Sequence, residues 1–274
     1  MIISIPGIVS QGGLNIILPT KGGALNDYTW EEISLISSAG AADEYFAVGD
    51  RKAVTLDGRV RDLGVDITTY CYILGFDHNA ALEGRNLIHF MFGFSDLTGG
   101  ADMAFAPDNY GSRDAPEYNA EWIVMHPLET NAVGWVNTRM RNETLPQLKA
   151  LFPTDLQSVI KPVTKYTYNI TDTDAGIVAT QEDLFFLSEY ETFGTIKYAN
   201  SAEQSYQVQY PYFAQTGART KLQHNNRSRR AIWWLRSQDN VNPQQFMQVG
   251  ATSAAAVARR PQTEVYAIAP AFCV

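Results

Sequence analysis

Apolar positions along this chain fall into short runs, and the first run with helical spacing follows residue 27. Trp30, Ile33 and Ile36 recur every third residue, which places them on one face of a helix. Thr29 precedes this face and Glu32 lies three residues later, a spacing typical of a capping box. The pattern therefore predicts a helix that begins directly after Thr29.

The other apolar runs are short and lie between polar or glycine-containing turns, as β-strands do. They predict strands over residues 45–48, 53–56, 69–74, 87–92, 184–187, 232–236, 246–249 and 265–269. Two more helices are predicted, over residues 139–151 with an interruption at Pro146 and from about residue 153 to 160. Asp57-Gly58 is typical of a hairpin turn, and residues 95–120 and 194–230 read as loops.

The first 26 residues differ from the rest of the chain, because glycines and prolines interrupt short apolar pieces. This composition prevents a regular helix and favours extended segments joined by turns. We interpret residues 1–26 as an arm that anchors the protein to a neighbour, with a first edge strand of the same domain as the alternative. The domain itself is expected to span residues 27–274.

Composition and charge narrow the class of protein. A hydrophobic fraction of 45% with 18% charged residues predicts a folded domain. The net charge of −8 argues against nucleic acid as a partner. The start of the chain lacks a basic segment, and no apolar run reaches membrane-spanning length, so neither a signal peptide nor a membrane partner is expected.

Two groups of residues have ambiguous chemistry. The basic cluster Arg227, Arg229, Arg230 and Arg236 is interpreted as a solvated loop that enters a strand. The two cysteines, Cys71 and Cys273, lie in apolar runs without metal-type spacing, so buried free thiols are expected. A disulfide between them stays open at this point.

Blocks of residues spread along the chain resemble an uncharacterised domain family of gut bacteria and their phages. They include Trp30 with Ile33, residues 45–50, residues 73–78, Gly134-Trp135, residues 184–188, residues 233–237 and residues 269–273. The resemblance covers about residues 28–274, and the order of the blocks makes it specific.

The resemblance implies an α+β, C-type-lectin-like fold, with a small twisted antiparallel sheet, two flanking helices and long loops on one side. That fold is shared by the diversified receptor-binding proteins of phages and by formylglycine-generating enzymes. The expected core residues are Trp30, Trp233, Trp234, Arg236 and Phe272. A buried Arg236 needs a carboxylate partner, and Glu189 and Glu191 are the two candidates.

No motif for catalysis or for a metal is complete. Asp77-His78 and His89 are interpreted as structural, and Asp172 and Asp174 lack the rest of a calcium loop. Asn242-Pro-Gln244 differs from the sugar-binding motif of the lectins. Formylglycine-generating enzymes need a pair of cysteines, whereas Cys273 stands alone in its region. We therefore expect no enzyme, no cofactor and no metal.

The best candidates for binding are the loops over residues 238–245 and 250–263, which follow or precede the last strands. Their amide side chains offer adaptable hydrogen bonds at small steric cost. The predicted binding residues are Gln238, Asp239, Asn240, Asn242, Gln244, Gln245, Arg259 and Arg260.

These observations lead to a functional hypothesis. The protein is expected to be a phage virion protein of the capsid or tail, a homo-oligomer docked on other virion proteins through its arm. Its loops would recognise a glycan or protein on the host surface. The alternatives are a bacterial cell-surface adhesion module and, less favoured by the residues, an enzyme of the formylglycine-generating type.

Overall fold

A five-stranded antiparallel sheet lies at the centre of the structure, with its strands in the order Leu184–Phe185 (β11), Ala271–Cys273 (β16), Ile88–Phe94 (β7), Ile67–Phe76 (β6) and Arg51–Leu56 (β3). The structure is a computed structural model that describes residues 8–11, 14–112, 121–128, 130–170, 175–242, 244–252 and 264–274. Its strands are β1 Ile8–Gln11, β2 Leu14–Ile17, β3 Arg51–Leu56, β4 Arg59–Val60, β5 Leu63–Gly64, β6 Ile67–Phe76, β7 Ile88–Phe94, β8 Met103–Ala104, β9 Val163–Ile170, β10 Ala175–Glu182, β11 Leu184–Phe185, β12 Lys221–Gln223, β13 Asn226–Ala231, β14 Trp233–Gln238, β15 Phe246–Val249 and β16 Ala271–Cys273.

The helices of the described residues are all short. The α-helices are α1 Trp30–Ser38, α2 Ala42–Tyr45, α3 Ala80–Glu83, α4 Leu145–Lys149, α5 Thr154–Val159, α6 Glu189–Phe193 and α7 Pro211–Thr216. Single turns of 3₁₀ helix occupy Leu25–Asp27, Trp135–Asn137 and Ser201–Ser205, and a π-helical turn occupies Met140–Thr144. None of these helices has the length and apolar character that crossing a membrane requires.

Both faces of the central sheet are buried, so its middle strands are apolar on both sides. Along β6, Cys71 and Ile73 join one apolar cluster, whereas Tyr72 and Leu74 join the cluster on the opposite face. The second face is completed by residues from α7 and β14, among them Trp233. The near-continuous hydrophobic runs in the sequence are a consequence of this double burial.

Helix α1 covers the first face of the sheet as its sequence predicts. Thr29 Oγ1 accepts the N–H of Glu32 at 3.1 Å, and Glu32 accepts the N–H of Thr29 at 2.8 Å, which confirms the capping box. Trp30 then packs edge-on against Phe90 and Phe272, with ring centroids 5.5 and 6.0 Å apart. Aromatic contacts of this kind fix the helix on the sheet beyond the effect of burial alone.

The expected core residues Trp30, Trp233, Trp234, Arg236 and Phe272 are all buried. Leu18 and Leu25, which belong to the predicted arm, also join the first apolar cluster. Strands β1 and β2 pair as an antiparallel hairpin. The docking of the arm on a neighbouring protein stays a prediction.

Several small sheets surround the central one. Strands β9 and β10 form a long antiparallel hairpin, β14 pairs with β15, and β4 pairs with β5. Strand β12 lies between β13, which is antiparallel to it, and β8, which is parallel. The chain is therefore α+β, with several small, mainly antiparallel sheets and few helices.

The predicted strand over residues 45–48 is wrong, because α2 extends to Tyr45 and residues 46–48 form no β ladder. Phe46 packs edge-on against Tyr28 at 5.2 Å, so aromatic contacts bury this apolar run instead.

The turn at Asp57-Gly58 exists, and Gly58 has a φ of 130°. However, β3 pairs with β6 rather than with the next strand, since the short hairpin β4–β5 is inserted between them.

Two other predictions need correction. Residues 265–269 make single bridges to two different partners, Ala267 to Trp233 and Ile268 to Phe105, and so form no continuous strand. The segment 194–230 is not all loop, because it contains α7, β12 and β13. Pro211 occupies the first turn of α7, where its missing N–H is harmless.

The predicted helices after residue 138 are confirmed, with one change. The π-helical turn Met140–Thr144 passes into α4, and the change of helix type falls beside Pro146, which cannot donate a main-chain hydrogen bond. The helix predicted to end at residue 160 is α5, Thr154–Val159. The strand predicted over residues 184–187 is shorter, since only Leu184–Phe185 is paired.

The two cysteines are free and buried, as expected. Cys71 on β6 and Cys273 on β16 pair with different residues of β7, which lies between these strands. Two strand spacings put the cysteines roughly 10 Å apart across the sheet alone. That separation exceeds the reach of a disulfide, which decides the question that the sequence left open.

Candidate functional site

A buried ionic cluster lies between α6, β9 and β14, and its centre is Glu191. Arg236 on β14 donates two hydrogen bonds to this carboxylate, at 2.5 Å to Oε2 and 2.9 Å to Oε1. Both side chains are fully buried. The sequence left Glu189 and Glu191 as alternative partners for Arg236, and the structure selects Glu191.

Lys165 on β9 extends the cluster to a second carboxylate. Its ammonium lies 3.0 Å from Glu191 Oε1 and 2.6 Å from Glu83 Oε2, and it donates to the Tyr210 hydroxyl at 2.9 Å. Two cations therefore face two carboxylates, and all four side chains are buried. A set of buried charges of this kind is tolerable only when it is balanced and fully hydrogen-bonded.

The electrostatics keep Glu191 ionised. Burial alone would raise the pKa of Glu191, but Arg236 and Lys165 outweigh it and hold that pKa below its ordinary value. The same carboxylate accepts the N–H of Ser188 at 2.9 Å and so caps α6. Glu191 thus joins the start of α6 to β9 and β14 through one charged group.

The histidines that the sequence suggested as structural lie against this cluster. His78 stacks on Tyr210 with ring centroids 3.7 Å apart, and His89 Nδ1 lies 3.1 Å from the Tyr210 hydroxyl. Burial, helped by the charge on Lys165, lowers the pKa of His78 to about 3. Both rings are neutral near pH 7, because burial also lowers the pKa of His89 well below its ordinary value.

His78, Glu83 and Glu191 could in principle hold a metal ion, since one ligand atom from each lies within 4.8 Å of the others. The ammonium of Lys165, however, already bonds to both carboxylates at 2.6 and 3.0 Å. A divalent cation would have to displace Lys165 and would leave excess positive charge in a buried site. The cluster is therefore better explained as a set of buried ion pairs that stabilises the fold than as a metal site.

Above this cluster, the loop that follows β14 is held by Asn131. The side-chain amide nitrogen of Asn131 lies within hydrogen-bond distance of three main-chain carbonyl oxygens, those of Asp239 at 3.2 Å, Asn242 at 3.1 Å and Gln245 at 3.0 Å, which share its two N–H groups. Gln238 returns a hydrogen bond to the carbonyl of Asn131. One buried asparagine therefore holds the main chain of the loop at Asp239, Asn242 and Gln245.

The predicted binding residues of this loop divide into two groups. Gln238 and Asp239 are 2% and 7% exposed, and they shape the loop. Asp239 Oδ1, for example, accepts the N–H of Val241 at 2.8 Å. Asn240 and Gln244 are exposed, Asn242 and Gln245 are half-buried, and Val241 between them is 86% exposed. Arg259 and Arg260, with most of the second predicted loop, lie outside the described residues.

Neighbouring segments complete an exposed surface around this loop. Asn240 donates its N–H to the carbonyl of Tyr198 at 3.0 Å, and Asn200 Nδ2 donates to Asn240 Oδ1 at 2.6 Å. The hairpin β9–β10 reaches the same place, because Ile170 donates its N–H to Gln238 at 2.7 Å. We call Tyr198, Asn200, Asn240, Val241 and Gln244 the loop face.

Glu203 connects the loop face to the elements below it. Its carboxylate accepts the N–H of Tyr168 on β9 at 3.0 Å and the hydroxyl of Ser237 on β14 at 2.8 Å. Ser237 directly precedes the loop. Burial raises the pKa of Glu203 to about 7, although Arg236 and these two hydrogen bonds oppose the rise.

Sequence reasoning missed Asn131, Lys165 and Glu203. Strand β9 does alternate between buried and half-buried positions, but its inward side chains after Val163 include Lys165, Thr167 and Asn169. A pattern based on hydrophobicity cannot recognise an inward face that is polar. The alternation of aromatic and β-branched residues over 163–170 was the available strand signal.

A surface cleft of about 420 Å³ lies elsewhere, between α4 and the end of β10. Its cations are already paired, Arg141 with Glu182 at 2.7 Å and Lys149 with Asp183 at 2.7 Å. The cleft therefore offers a ligand no free charge from these residues. Of the described surfaces, the loop face is the better candidate for recognition.

Together the fold and the site define a class of protein, an α+β domain that presents a fixed loop above a buried ionic cluster. The chain belongs to the family described as Domain of unknown function (DUF6273), whose model matches residues 118–274. That span includes Lys165, Glu191, Arg236 and the loop after β14. No curated protein and no solved structure matches the chain.

Proposed function

We propose that this protein is a non-catalytic display protein that binds its target through the loop face. The observation that carries the proposal is the loop over residues 239–245. Asn131 fixes its main chain at three carbonyl groups, while Asn240, Val241 and Gln244 remain exposed. A preorganised loop loses little conformational entropy on binding, which favours affinity.

The ionic cluster, which holds the strand that leads into the loop, also supports this proposal. Arg236 and Ser237 stand directly before the loop, and their partners Glu191 and Glu203 lie on separate segments of the chain. These bonds hold the bases of several segments in one arrangement. A binding surface built on such a support keeps its shape when the exposed side chains vary.

The chemistry of the loop face suggests its ligand. Asn200, Asn240 and Gln244 offer neutral amide groups, and Tyr198 offers a half-buried aromatic ring. Amides bind hydroxyl and peptide groups without a charge requirement, and aromatic rings cover apolar faces. We propose a glycan or a protein on a host-cell surface as the target.

We further propose that this binder is part of a bacteriophage virion, a proposal supported by the resemblance of its sequence to a domain family of gut bacteria and phages with a C-type-lectin-like fold. In that setting it decorates the capsid or tail, and the arm of residues 1–26 docks on another virion protein. Copies on one particle would raise the total avidity above the affinity of a single site.

Enzymatic activity of the formylglycine-generating type has little support. Burial raises the pKa of the Cys273 thiol, and the side chain is fully buried against His89. Cys71 lies two strands away in the sheet, too far to form a metal-binding pair with it. Neither thiol is in a position to bind copper with the other.

Two experiments test the proposal. Mass spectrometry and immunogold labelling of purified phage particles should find the protein in the virion, at a position that separates head from tail. Detection on intact bacterial cells but not in particles would instead favour the adhesion module. Absence of the protein from both would contradict the proposal.

Binding is tested on a glycan array and on intact host cells. The double variant Asn240→Ala/Gln244→Ala should lose most of the binding, since it removes two exposed amides from the loop face. The matched control is Asn137→Ala/Gln215→Ala, which removes two exposed amides elsewhere. Equal binding by the two double variants would show that the loop face is not the site.

A further inference from the structure

Strand β13 carries three arginines away from the body of the protein. Its pairing with β12 jumps from Leu222 opposite Arg230 to Gln223 opposite Asn226, so residues 227–229 bulge out of the ladder. All residues from Asn226 to Arg230 are exposed, on both faces of the strand. We call Arg227 and Arg229, together with the adjacent paired Arg230, the arginine bulge.

These guanidinium groups have no carboxylate partner within the described residues. Arg230 makes one hydrogen bond, to the carbonyl of Ala251 at 3.4 Å. Other exposed cations do find partners, such as Arg59 with Asp108 at 2.8 Å. Three like charges within four residues repel one another, and an acidic surface that covered them would relieve this repulsion.

The chain itself carries such an acidic surface. Tyr28 packs against Tyr45 and Phe46 with ring centroids 6.1 and 5.2 Å apart, which brings the end of α2 next to the start of α1. Glu31 in the first turn of α1 and Asp43 and Glu44 on α2 are exposed. We call these three residues the acidic helix surface.

The acidic helix surface is only partly neutralised by the cations of the described residues. Lys21 lies 3.8 Å from Glu44, and both side chains are more than half exposed. No described cation pairs with Glu31 or Asp43. The chain has a net charge of −8, and without the arginine bulge it would carry −11. The bulge is therefore a local reversal of charge on an acidic protein.

We propose that the arginine bulge of one copy docks on the acidic helix surface of a second copy. The two surfaces differ, so the contact is heterologous and joins copies head to tail. Self-pairing of two bulges is disfavoured, because it would bring like charges together. The inference goes beyond the proposed function, since loop binding and self-association use different residues.

A nucleic acid is the less suitable occupant. Three arginines can neutralise only a few phosphates, whereas the rest of the chain carries excess negative charge that repels a polyanion. A second copy offers three exposed carboxylates, Glu31, Asp43 and Glu44, for the three arginines of the bulge.

Sedimentation velocity over a concentration series, at low and at high salt, measures the association. The wild-type protein should associate at low salt and dissociate at high salt, because exposed ion pairs are screened. The variants Arg227→Glu/Arg229→Glu and Glu31→Lys/Asp43→Lys should each raise the dissociation constant by about tenfold or more, because each places like charges in the contact. The control Arg85→Glu reverses an exposed arginine outside both surfaces and should associate as wild type does.

The decisive measurement mixes the two reversed variants in equal amounts. Each alone should be monomeric, whereas the mixture should associate, because every bulge then meets a surface of opposite charge. Thermal melts check that the variants are folded. A wild-type protein that stays monomeric at low salt, or a mixture that fails to associate, would overturn the inference.

Binding of a DNA duplex that Arg227→Glu/Arg229→Glu abolishes, without any self-association, would also overturn it in favour of a polyanion site. A monomeric protein that still binds its target through the loop face would refute only this inference. A self-associating protein whose loop variants bind normally would refute only the proposed function.

Discussion

Arg236 and Glu191 form a two-point ion pair in which both side chains are fully buried. Lys165 bonds to the same carboxylate and also to Glu83, so the four charges balance. The pair joins β14, which leads into the loop face, to the start of α6. This ion pair therefore fixes the position of β14 relative to α6.

The first prediction concerns the loss of one charge from this set. Arg236→Met leaves two carboxylates facing one ammonium, and we expect it to lower the free energy of unfolding by about 3–5 kcal/mol. Adding Glu191→Gln leaves Lys165 and Glu83 as a balanced pair, so the double variant should cost less than the sum of the single variants. Urea denaturation of all four proteins measures the cycle. Strictly additive effects would show that the two side chains are not coupled.

The second prediction concerns the support of the loop by Asn131. Asn131→Ala removes the two N–H donors that three main-chain carbonyls of the loop share, which should cost about 1–3 kcal/mol. It should also speed hydrogen exchange of the backbone amides of residues 239–242, 244 and 245. Asn137→Ala is the matched control, because Asn137 lies in the same segment and is exposed. Unchanged exchange in the Asn131 variant would mean that the loop is held by other contacts.

The third prediction concerns the pH dependence that Glu203 introduces. Its pKa is raised to about 7 in the folded protein, so between about pH 4.5 and 7 the unfolded chain is ionised while the folded chain holds a proton. Stability contributed by Glu203 is therefore complete below pH 4.5 and is lost as the pH rises towards 7. The loss amounts to about 3 kcal/mol.

Glu203→Gln mimics the protonated carboxyl and does not titrate. The difference in unfolding free energy between the variant and the wild type should therefore shift in favour of the variant as the pH rises from 5 to 7. Urea denaturation across this range measures it. A difference that stays constant with pH would show that Glu203 does not titrate there.

The fourth prediction concerns close packing of the main chain at Gly93. This residue has a φ of 154°, and a Cβ there would overlap the carbonyl oxygen of Met103. Gly93→Ala should destabilise the protein by about 3 kcal/mol. Gly176→Ala is the control, because nothing lies within 4 Å of its Cβ position. Thermal denaturation compares the two, and equal melting temperatures would contradict the packing argument.

Local sequence signals predicted the parts of the fold that depend on near neighbours. The capping box of Thr29 and Glu32 set the start of α1. The apolar runs located β6 and β7, because strands buried on both faces need apolar residues at nearly every position. The apolar pattern did not predict the hairpin β9–β10, because the buried side chains of β9 include the polar residues Lys165 and Thr167.

The candidate site was predictable only in part. The loop after β14 could be located from its amide-rich sequence. The sequence could not tell which of its side chains are exposed for binding, and the structure shows that Gln238 and Asp239 are buried whereas Asn240 is exposed. The sequence contained no sign that Asn131 holds the main chain of this loop, because Asn131 lies 114 residues before Gln245 in the chain. Nothing in the local sequence distinguishes Asn131 from the exposed Asn137.

The sequence by itself determined that this chain folds as an α+β domain, and that Arg236, in an apolar strand, would be buried beside a carboxylate. The tertiary structure alone decided that the carboxylate is Glu191, and that Lys165 and Glu83 complete a balanced set. The physical reason is that burial follows from the local apolar pattern, whereas ionic partners are chosen by proximity in space. Lys165 and Glu83 are 82 residues apart, and only the packing of α3 against β9 brings their charges together.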